Sequence, residues 1–560
     1  MFDIKPLFEQ LLFFSIGIIS ISAFFSLDVQ VFSSLQIVII VLITSIIWWI
    51  PHKEKLLIIL NSPNEIFFKI IFIAAIFLVS HKIIDYEHYS YYIGPIYDVI
   101  KGKSLLYDTP SQYGYLSIHF LALIFHFIGF TSNMFQNINI LLFDLSFLLV
   151  YYFFHKLISN RFIAFFCSII YLSFQSVFAY YIQVFYPSTG PLRFGLGLIL
   201  IVLLLKPSRK TYILSLIITS ISFFWSAETA IYVVPAWLFS CLAYSYSTTN
   251  SLKKFIRFYT NKIITLLIIS LIILSLIILF EIFKYGTFPI LTDYLQFIPV
   301  YKNGVGAMPI APFGNYYLVV LVLICGVVTT TYLMYKKIYK NYISILSFIS
   351  FYNITIFSYF VGRSHENNIT NISGFVFIEF VLLLYLFLNI VKDKKYLIKL
   401  ISLPVIFFII LFSLRVWTQI SKNYEFIRNT MISNIKTGFN NNIEKPVLIE
   451  ILQKYHLSKF PIILLDERDT GFLIPSKIVN TFPFNPIAMT FLLPNSLEKY
   501  IDPKINNLSI NTVVIITSGI LDFRIDPVWK RLQNFYYLKK IGEDKNEKLD
   551  LYQIIGRIKK

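Results

Sequence analysis

Between His81 and Gln112 the chain reads HKIIDYEHYSYYIGPIYDVIKGKSLLYDTPSQ, the densest run of ionisable and hydroxyl side chains in an otherwise apolar region. Asp85 and Glu87 stand just after an apolar stretch, where a carboxylate is only partly hydrated. A general base profits from that position, because burial and neighbours move its pKa toward the working pH. His88 follows Asp85 by three residues and Lys82 precedes it by three, so all share one face if the preceding helix continues. The same charges would equally serve to cap and anchor a span at the interface, since clustered ionisable groups mark sites only probabilistically.

Further along are other polar islands. Gly362-Arg363-Ser364-His365-Glu366-Asn367-Asn368 offers a planar guanidinium fork, an imidazole and two amides, the groups that hold a phosphate. An interfacial Arg363 snorkelling from a span end is the plain alternative. The segment Tyr180 to Arg193 (YYIQVFYPSTGPLR) supplies Tyr, Gln, Ser and Arg193 beside a Pro/Gly break, and Phe223 to Thr229 (FFWSAET) places Glu228 beside Trp225. Aromatic faces and hydroxyl-bonding side chains bind sugars, although a lone acid at such a turn is also what the N-terminus of a helix favours. The stretch from Lys284 to Asn315 is rich in Pro, Gly and Tyr and has the length of either a gating loop or a plain connector.

The elements that must position these residues are membrane spans. Of 560 residues, 57% are hydrophobic, 14% are charged and 18% are aromatic, with a mean hydropathy of +0.71. Soluble chains carry roughly 25% charged residues, and many stretches here are long enough to cross a bilayer core. The expected spans cover about Leu11 to Phe25, Val31 to Ile50, Ile66 to Ile84, Tyr115 to Phe130, Ile138 to Phe154, Phe162 to Tyr180, Phe194 to Leu205, Tyr212 to Trp225, Ala230 to Tyr244, Ile263 to Phe283, Tyr316 to Tyr335, Ile343 to Val361, Ile372 to Val391 and Leu397 to Leu414. The fold class is therefore an all-α polytopic membrane protein of about 13 transmembrane helices, followed by a small α/β domain. The first apolar run lacks a small-residue cleavage site and reads as a span.

The formal charge is +18. Sixteen of the 48 Lys and Arg residues fall in five short clusters, at 53–55, 206–210, 253–262, 336–340 and 392–399. Placed in the cytoplasm by the positive-inside rule, they leave the polar islands on the extracytoplasmic face of the cell inner (plasma) membrane. The charge thus reports topology and adhesion to membrane lipids, and calls for no nucleic acid. Parity fails only early, where Tyr115 to Phe130 must dip into the membrane or lie at its surface. The residues divide into a transmembrane region at 1–415, with a first large outer loop at 85–115, and a soluble α/β domain at 416–560. In the latter, Pro461 to Leu465 and Thr512 to Thr517 read as strands, Leu497 to Ile501 and Val528 to Phe535 as helical, and Tyr536 to Ile555 as a hairpin turning at Gly542 to Lys548.

An outer loop that opens on an acid at a helix end, continues into Gly94-Pro95 and Asp98, and then into Lys101-Gly102-Lys103 and Tyr107-Asp108-Thr109-Pro110-Ser111-Gln112-Tyr113-Gly114, resembles the GT-C superfamily of polytopic glycosyltransferases. That superfamily includes the protein O-mannosyltransferases and the lipid A aminoarabinose transferases. The resemblance covers roughly residues 60 to 415. It implies a polyprenyl-phosphate-linked sugar donor, an active site facing away from the cytoplasm, and an acid opening the first loop that acts as base or binds the acceptor. Asp85 falls on that acidic position. Glu87 replaces the directly adjacent second acid, which leaves open which of the two is the base. Arg363, His365, Lys103 and Arg193 are the candidates for the donor phosphate, and His88, Tyr92, Asp108, Gln112, Glu228 and Asn367 for the sugar or acceptor.

Other chemistries are poorly supported by the sequence. It has no P-loop, Rossmann fingerprint, HExxH or GxSxG element, and Cys167, Cys241 and Cys325 form no metal or redox spacing. A lipid-phosphate donor can leave by cation stabilisation alone, so no cofactor is demanded, although a carboxylate-bound divalent cation is compatible with the same acids. Acids inside spans are few, with Asp144, Glu379 and, at an end, Glu281. A coupled transporter would need more at the midplane. The expected function is extracytoplasmic glycosyl transfer to a glycan, lipid or protein acceptor in cell-surface glycan assembly. The alternatives are a flippase or exporter, or a polymerase, of lipid-linked glycans.

Overall fold

A computed structural model describes residues 86–158, 161, 164–165, 167–168, 170–171, 190–302, 308–310, 316–362, 364, 366–390, 446–482, 495–519 and 525–558. Most of these residues are helical. The first helices are α1 (Tyr86–Ile100), α2 (Leu116–Ile128), α3 (Ser132–Ile158), α4 (Pro191–Leu204), α5 (Arg209–Trp225) and α6 (Ala227–Thr248). They are followed by α7 (Leu252–Tyr285), α8 (Leu291–Lys302), α9 (Tyr316–Lys336), α10 (Lys340–Gly362) and α11 (Glu366–Ile390).

Among the described residues, five helical stretches are long and apolar enough to cross a membrane: Met134–Ile158, Ala227–Thr248, Leu252–Tyr285, Tyr316–Lys336 and Lys340–Gly362. Leu116–Ile128, Pro191–Leu204 and Asn371–Phe387 are apolar but shorter. The expected count of about 13 is therefore not supported. The expected spans at 11–25, 31–50, 66–84 and 397–414, and much of that at 162–180, lie outside the described residues. Others fall short by length. A helix rises about 1.5 Å per residue, so the 17 residues of α5 do not cover a hydrocarbon core of about 30 Å.

The 13-residue α2 also cannot cross. Tyr113 before it stacks on Tyr92 of α1, and Phe130 after it stacks on Tyr97 of the same helix. Both its ends thus pack on α1. The α1 helix lies within the stretch 85–115 expected as an outer loop, and it contains Gly94-Pro95. It forms because Tyr92, Ile93, Ile96, Tyr97 and Val99 make a buried stripe at helical spacing, which outweighs one proline.

Short turns make antiparallel pairs of α5 with α6 and of α9 with α10, and the α6–α10 contact is the most extensive in the bundle. Side chains of α7 such as Leu267, Leu271 and Leu276 point outward and are exposed, as lipid-facing residues would be.

The last described part holds a helix α12 (Val447–Lys454), strands β1 (Ile462–Leu465) and β2 (Val513–Thr517), a helix α13 (Asp526–Phe535), and strands β3 (Tyr536–Asp544) and β4 (Leu549–Arg557). The sheet order is β1-β2-β4-β3, with β1 parallel to β2 and the other pairs antiparallel. Leu464, Val513, Ile515 and Leu551 face α12, while Ile463, Val514, Ile516 and Ile554 face α13. Burial on both faces explains why β1 and β2 read as unbroken apolar runs. Gly542, expected in the hairpin turn, lies instead in β3 beside a bulge, where the ring of Tyr455 occupies the place of a Cβ. The turn is at Lys545 to Lys548, with Lys548 left-handed.

This α/β part rests on α1. Thr470 bonds Ser90, the Tyr97 hydroxyl donates to Ile478 O at 3.2 Å, and Lys103 Nζ donates to Phe482 O at 2.8 Å. It also grips α8, where Asp293 is buried and accepts from Lys499 Nζ at 2.7 Å and from the Tyr500 hydroxyl. Burial, then the Asp293 carboxylate, pushes the Tyr500 hydroxyl well up.

Candidate functional site at one end of the bundle

Arg193, Tyr113, Glu228 and Tyr359 come together where α4 and α6 begin and where α5 and α10 end. Gly190 in extended conformation precedes Pro191, which fits the first helical turn, and so sets Arg193 one turn inside α4. Ser226 caps α6 by accepting from Thr229 N at 3.1 Å, which sets Glu228 in its first turn. The two helix starts are tied together. Thr229 Oγ1 donates to Arg193 O at 3.0 Å and Trp225 Nε1 donates to Leu192 O at 2.6 Å.

In that frame Arg193 Nη2 lies 2.5 Å from Glu228 Oε2. Arg193 is only 5% exposed, and its guanidinium stands over the rings of Tyr113 at 5.8 Å and Tyr359 of α10 at 4.8 Å. Tyr92 stacks on Tyr113 with centroids 4.6 Å apart and planes 4° from parallel. Arg193 Nε and Nη1 have no hydrogen-bond partner among the described residues. A buried guanidinium keeps its charge, so two aimed N–H donors without acceptors cost free energy until an anion or another acceptor meets them. Gly114 makes the approach of Tyr113 feasible: its φ is +108°, and a Cβ there would overlap the Trp225 carbonyl oxygen.

A further acid of this end is buried. Glu281, fully buried in the last turns of α7, accepts from Ser104 Oγ at 2.7 Å and from the Tyr115 hydroxyl, and His119 Nε2 lies 3.3 Å away. Thr287 Oγ1 donates to Ser104 Oγ at 2.9 Å, and Ile290 N donates to Leu106 O at 2.8 Å, so residues 101–115 are sewn onto the end of α7.

The expected residues divide clearly. Arg193, Glu228 and Tyr92 come together around Tyr113. Lys103 stands apart with Asp98 at 2.8 Å and the Phe482 carbonyl. Asp98 is fully buried, and burial raises its pKa even against the pull of Lys103. Asp108 accepts from Ser104 N at 3.0 Å and sits 3.9 Å from Lys504, so it holds the loop's own turn and faces the α/β part. Gln112 is half-buried just before Tyr113. Glu87 and His88 lie in the first turn of α1 and Asn367 in the first turn of α11; their side chains, and Asp85, Arg363 and His365 entirely, are outside the described residues.

Tyr113, Tyr359 and the Glu281 cluster were not singled out by type and spacing. The nearest signals were the tyrosine density around Arg193 and the lone acid near the end of a long apolar run. No divalent-ion cluster of three or more His, Cys, Asp or Glu side chains occurs among the described residues. Fold and site together define a helical bundle with membrane-length apolar helices and a buried, partly unpaired arginine at one end. No family model matches the chain, and no curated protein matches it in sequence.

Proposed function

We propose that the protein is a glycosyltransferase of the GT-C type, moving a sugar from a polyprenyl-phosphate donor to an acceptor on the extracytoplasmic face. Residues 1–415 then form the multispan catalytic region and 416–560 an outer domain resting on its first loop. The observation that carries the reading is Arg193, a permanently charged and nearly buried guanidinium with two N–H groups unpaired among the described residues, walled by tyrosines. A guanidinium that cannot lose its charge and still has donors to offer suits a phosphate oxygen. Its counterpart Glu228 engages Nη2 and leaves Nε and Nη1, on different edges of the guanidinium, each to meet a separate acceptor oxygen.

In this reaction the acceptor hydroxyl oxygen bonds to the anomeric carbon as the bond from that carbon to the phosphate oxygen breaks. The hydroxyl proton passes to Asp85 or Glu87, and the phosphate leaves with the electron pair into the field of Arg193, joined by Arg363 and His365. Donors placed where charge develops lower the barrier most. Lys103, engaged by Asp98 and Phe482, serves to hold the loop rather than the phosphate.

The test is transfer from labelled polyprenyl-phosphate sugars by the purified full-length protein. Arg193→Gln should reduce turnover by about 100-fold or more, as loss of one charge-stabilising donor typically does, and Asp85→Asn or Glu87→Gln should abolish it. Transfer unaffected in all three sinks the site assignment. Translocation of the lipid-linked sugar without transfer establishes the flippase reading instead.

A further inference from the structure

The end of the bundle opposite the Arg193 pocket holds a cation that sugar transfer leaves unused. Lys262 of α7 is 8% exposed. Its Nζ stands over the rings of Tyr212 of α5 at 5.0 Å, Tyr244 of α6 at 5.1 Å and Phe258 of α7 at 4.7 Å. Ring faces attract an ammonium, but an ammonium also carries three N–H donors. Lys262 makes no hydrogen bond or ion pair among the described residues, and neither do the hydroxyls of Tyr212 and Tyr244. A nearly buried donor in that condition costs free energy until an acceptor meets it.

The level of Lys262 along its helix decides which acceptor that is. The 34 residues of α7 span about 51 Å, against a hydrocarbon core of about 30 Å. The uncharged run from Ile263 to Phe280 covers about 27 Å of this, with Lys262 and Glu281 at its two ends. Lys262 therefore lies where the core gives way to lipid headgroups. The turns before it carry exposed Lys253, Lys254 and Arg257 together with exposed Ile256 and Phe258, the mixture of an interfacial segment. Lys254 stands one turn before Phe258 and Arg209 three residues before Tyr212, so each shares a face with a cage residue. Between Arg193 and Glu281 the only acid is Glu228, at the far end of α6. The ammonium of a zwitterionic headgroup would thus meet cations and no counter-charge.

We propose that Lys262, Tyr212 and Tyr244 bind the phosphate of one net-anionic phospholipid, with Arg209 and Lys254 at the rim of the site. The ammonium and the two hydroxyls supply donors from three helices to one phosphate group, and basic pockets between spanning helices take anionic headgroups in this way. The chains of the lipid have a path as well. Ile272 and Leu276 lie on the Phe258 side of α7, are exposed, and lead from the cage toward the middle of the core. The occupied site joins the starts of α5 and α7 to the end of α6. It rests on α7 as a membrane-spanning helix and stands whatever Arg193 binds.

The experiment takes the purified full-length protein, stripped of lipid in a neutral detergent, and adds phosphatidylglycerol, phosphatidylcholine or inorganic phosphate. Native mass spectrometry counts retained lipid and thermal unfolding reads its effect. The expected result is one tightly retained phosphatidylglycerol per chain and a Tm raised by that lipid alone, since a ligand bound only by the folded state stabilises it. Lys262→Met keeps the stem, removes the charge and should weaken retention by about tenfold or more, the weight of one charge-assisted hydrogen bond. Tyr212→Phe combined with Tyr244→Phe keeps every ring of the cage and should also weaken it. Lys253→Gln removes a charge from the opposite side of α7 and should leave retention unchanged. Equal retention of phosphatidylcholine, or phosphatidylglycerol held undiminished by Lys262→Met and by the double tyrosine variant, overturns the site. A loss in Lys253→Gln as large as in Lys262→Met overturns it too, in favour of diffuse attraction. An equal rise in Tm with inorganic phosphate overturns the lipid as occupant.

Discussion

Arg193 and the lysines of the opposite end show how differently one chain can house positive charge. Arg193 is nearly buried, faces Glu228 at 2.5 Å and stands over two tyrosine rings. At the other end Lys206, Arg209, Lys210, Lys253, Lys254 and Arg257 are exposed, while Lys337 Nζ caps the neighbouring turn through Thr249 O at 2.9 Å. The first arrangement needs each neighbour in place, whereas these exposed side chains need only proximity to water; Lys262 of the same end is the buried exception, over the rings of Tyr212, Tyr244 and Phe258. The buried cation is thus distinguished by the partners it cannot do without.

The largest break in that contrast should come from removing the acid. Arginine cannot shed its proton, so Glu228→Ala leaves a buried charge unpaired and should destabilise the protein by about 3–5 kcal/mol. Arg193→Ala strands a carboxylate that is 25% exposed and so still reaches solvent, and should cost less. Thermal or denaturant unfolding of the two single variants and the double measures the difference. If the double variant is as unstable as Glu228→Ala, the unpaired guanidinium is not what destabilises it.

Next in size is Gly114→Ala. The added Cβ overlaps Trp225 O, and the backbone at φ +108° is strained for any side chain. Tyr113 and Tyr115 flank it, so the change should disturb both the Arg193 stack and the Glu281 cluster. A smaller loss, about 1–3 kcal/mol, is expected for Tyr115→Phe, which withdraws one donor from buried Glu281 and leaves the ring in place. Unfolding midpoints of both variants, with Phe120→Leu as a packing control beside Trp225, test the order.

How much of this could be read from the residues follows from range. The strands β1 and β2, the 536–557 hairpin and the long apolar helices are local patterns, and they lie where period and turn residues put them. Arg193 and Glu228 were each visible as polar residues beside a helix start, but their pairing spans 35 positions of sequence and depends on the Thr229 and Trp225 bonds. The Glu281 cluster joins residues 104, 115, 119 and 281, and no spacing rule reaches that far. The partner of Lys103 was not visible either, because nothing in a polar loop shows that Asp98, five residues earlier, is buried beside it. The α1 helix was not delimited in the sequence, because the burial of its stripe appears only in the packed bundle.

Asp98 also gives a pH test of the boundary between the two kinds of charge. Burial raises its pKa above the ordinary 3.8 although Lys103 is close. A carboxyl that binds its proton more tightly when folded contributes stability that is complete below the ordinary value and is lost as pH climbs through the raised one. Asp98→Asn keeps the shape and removes the titration. Its Tm should therefore fall less than that of the parent as pH rises from about 3.8 upward, and identical slopes would show that Lys103 fully offsets the burial.

The smallest effect belongs to the far end. Lys206 and Lys210 are exposed at the start of α5, whose first turn is already fixed by the Ser208 and Thr211 capping box. Exposed charges next to water gain little from any one neighbour, and two cations at a helix N-terminus oppose its dipole. Changing both to Gln should leave Tm unchanged or slightly raised at low salt, with any gain disappearing as salt screens the dipole term. A clear drop in Tm would mean that these lysines have buried partners, as Arg193 does, and the contrast between the two ends would dissolve.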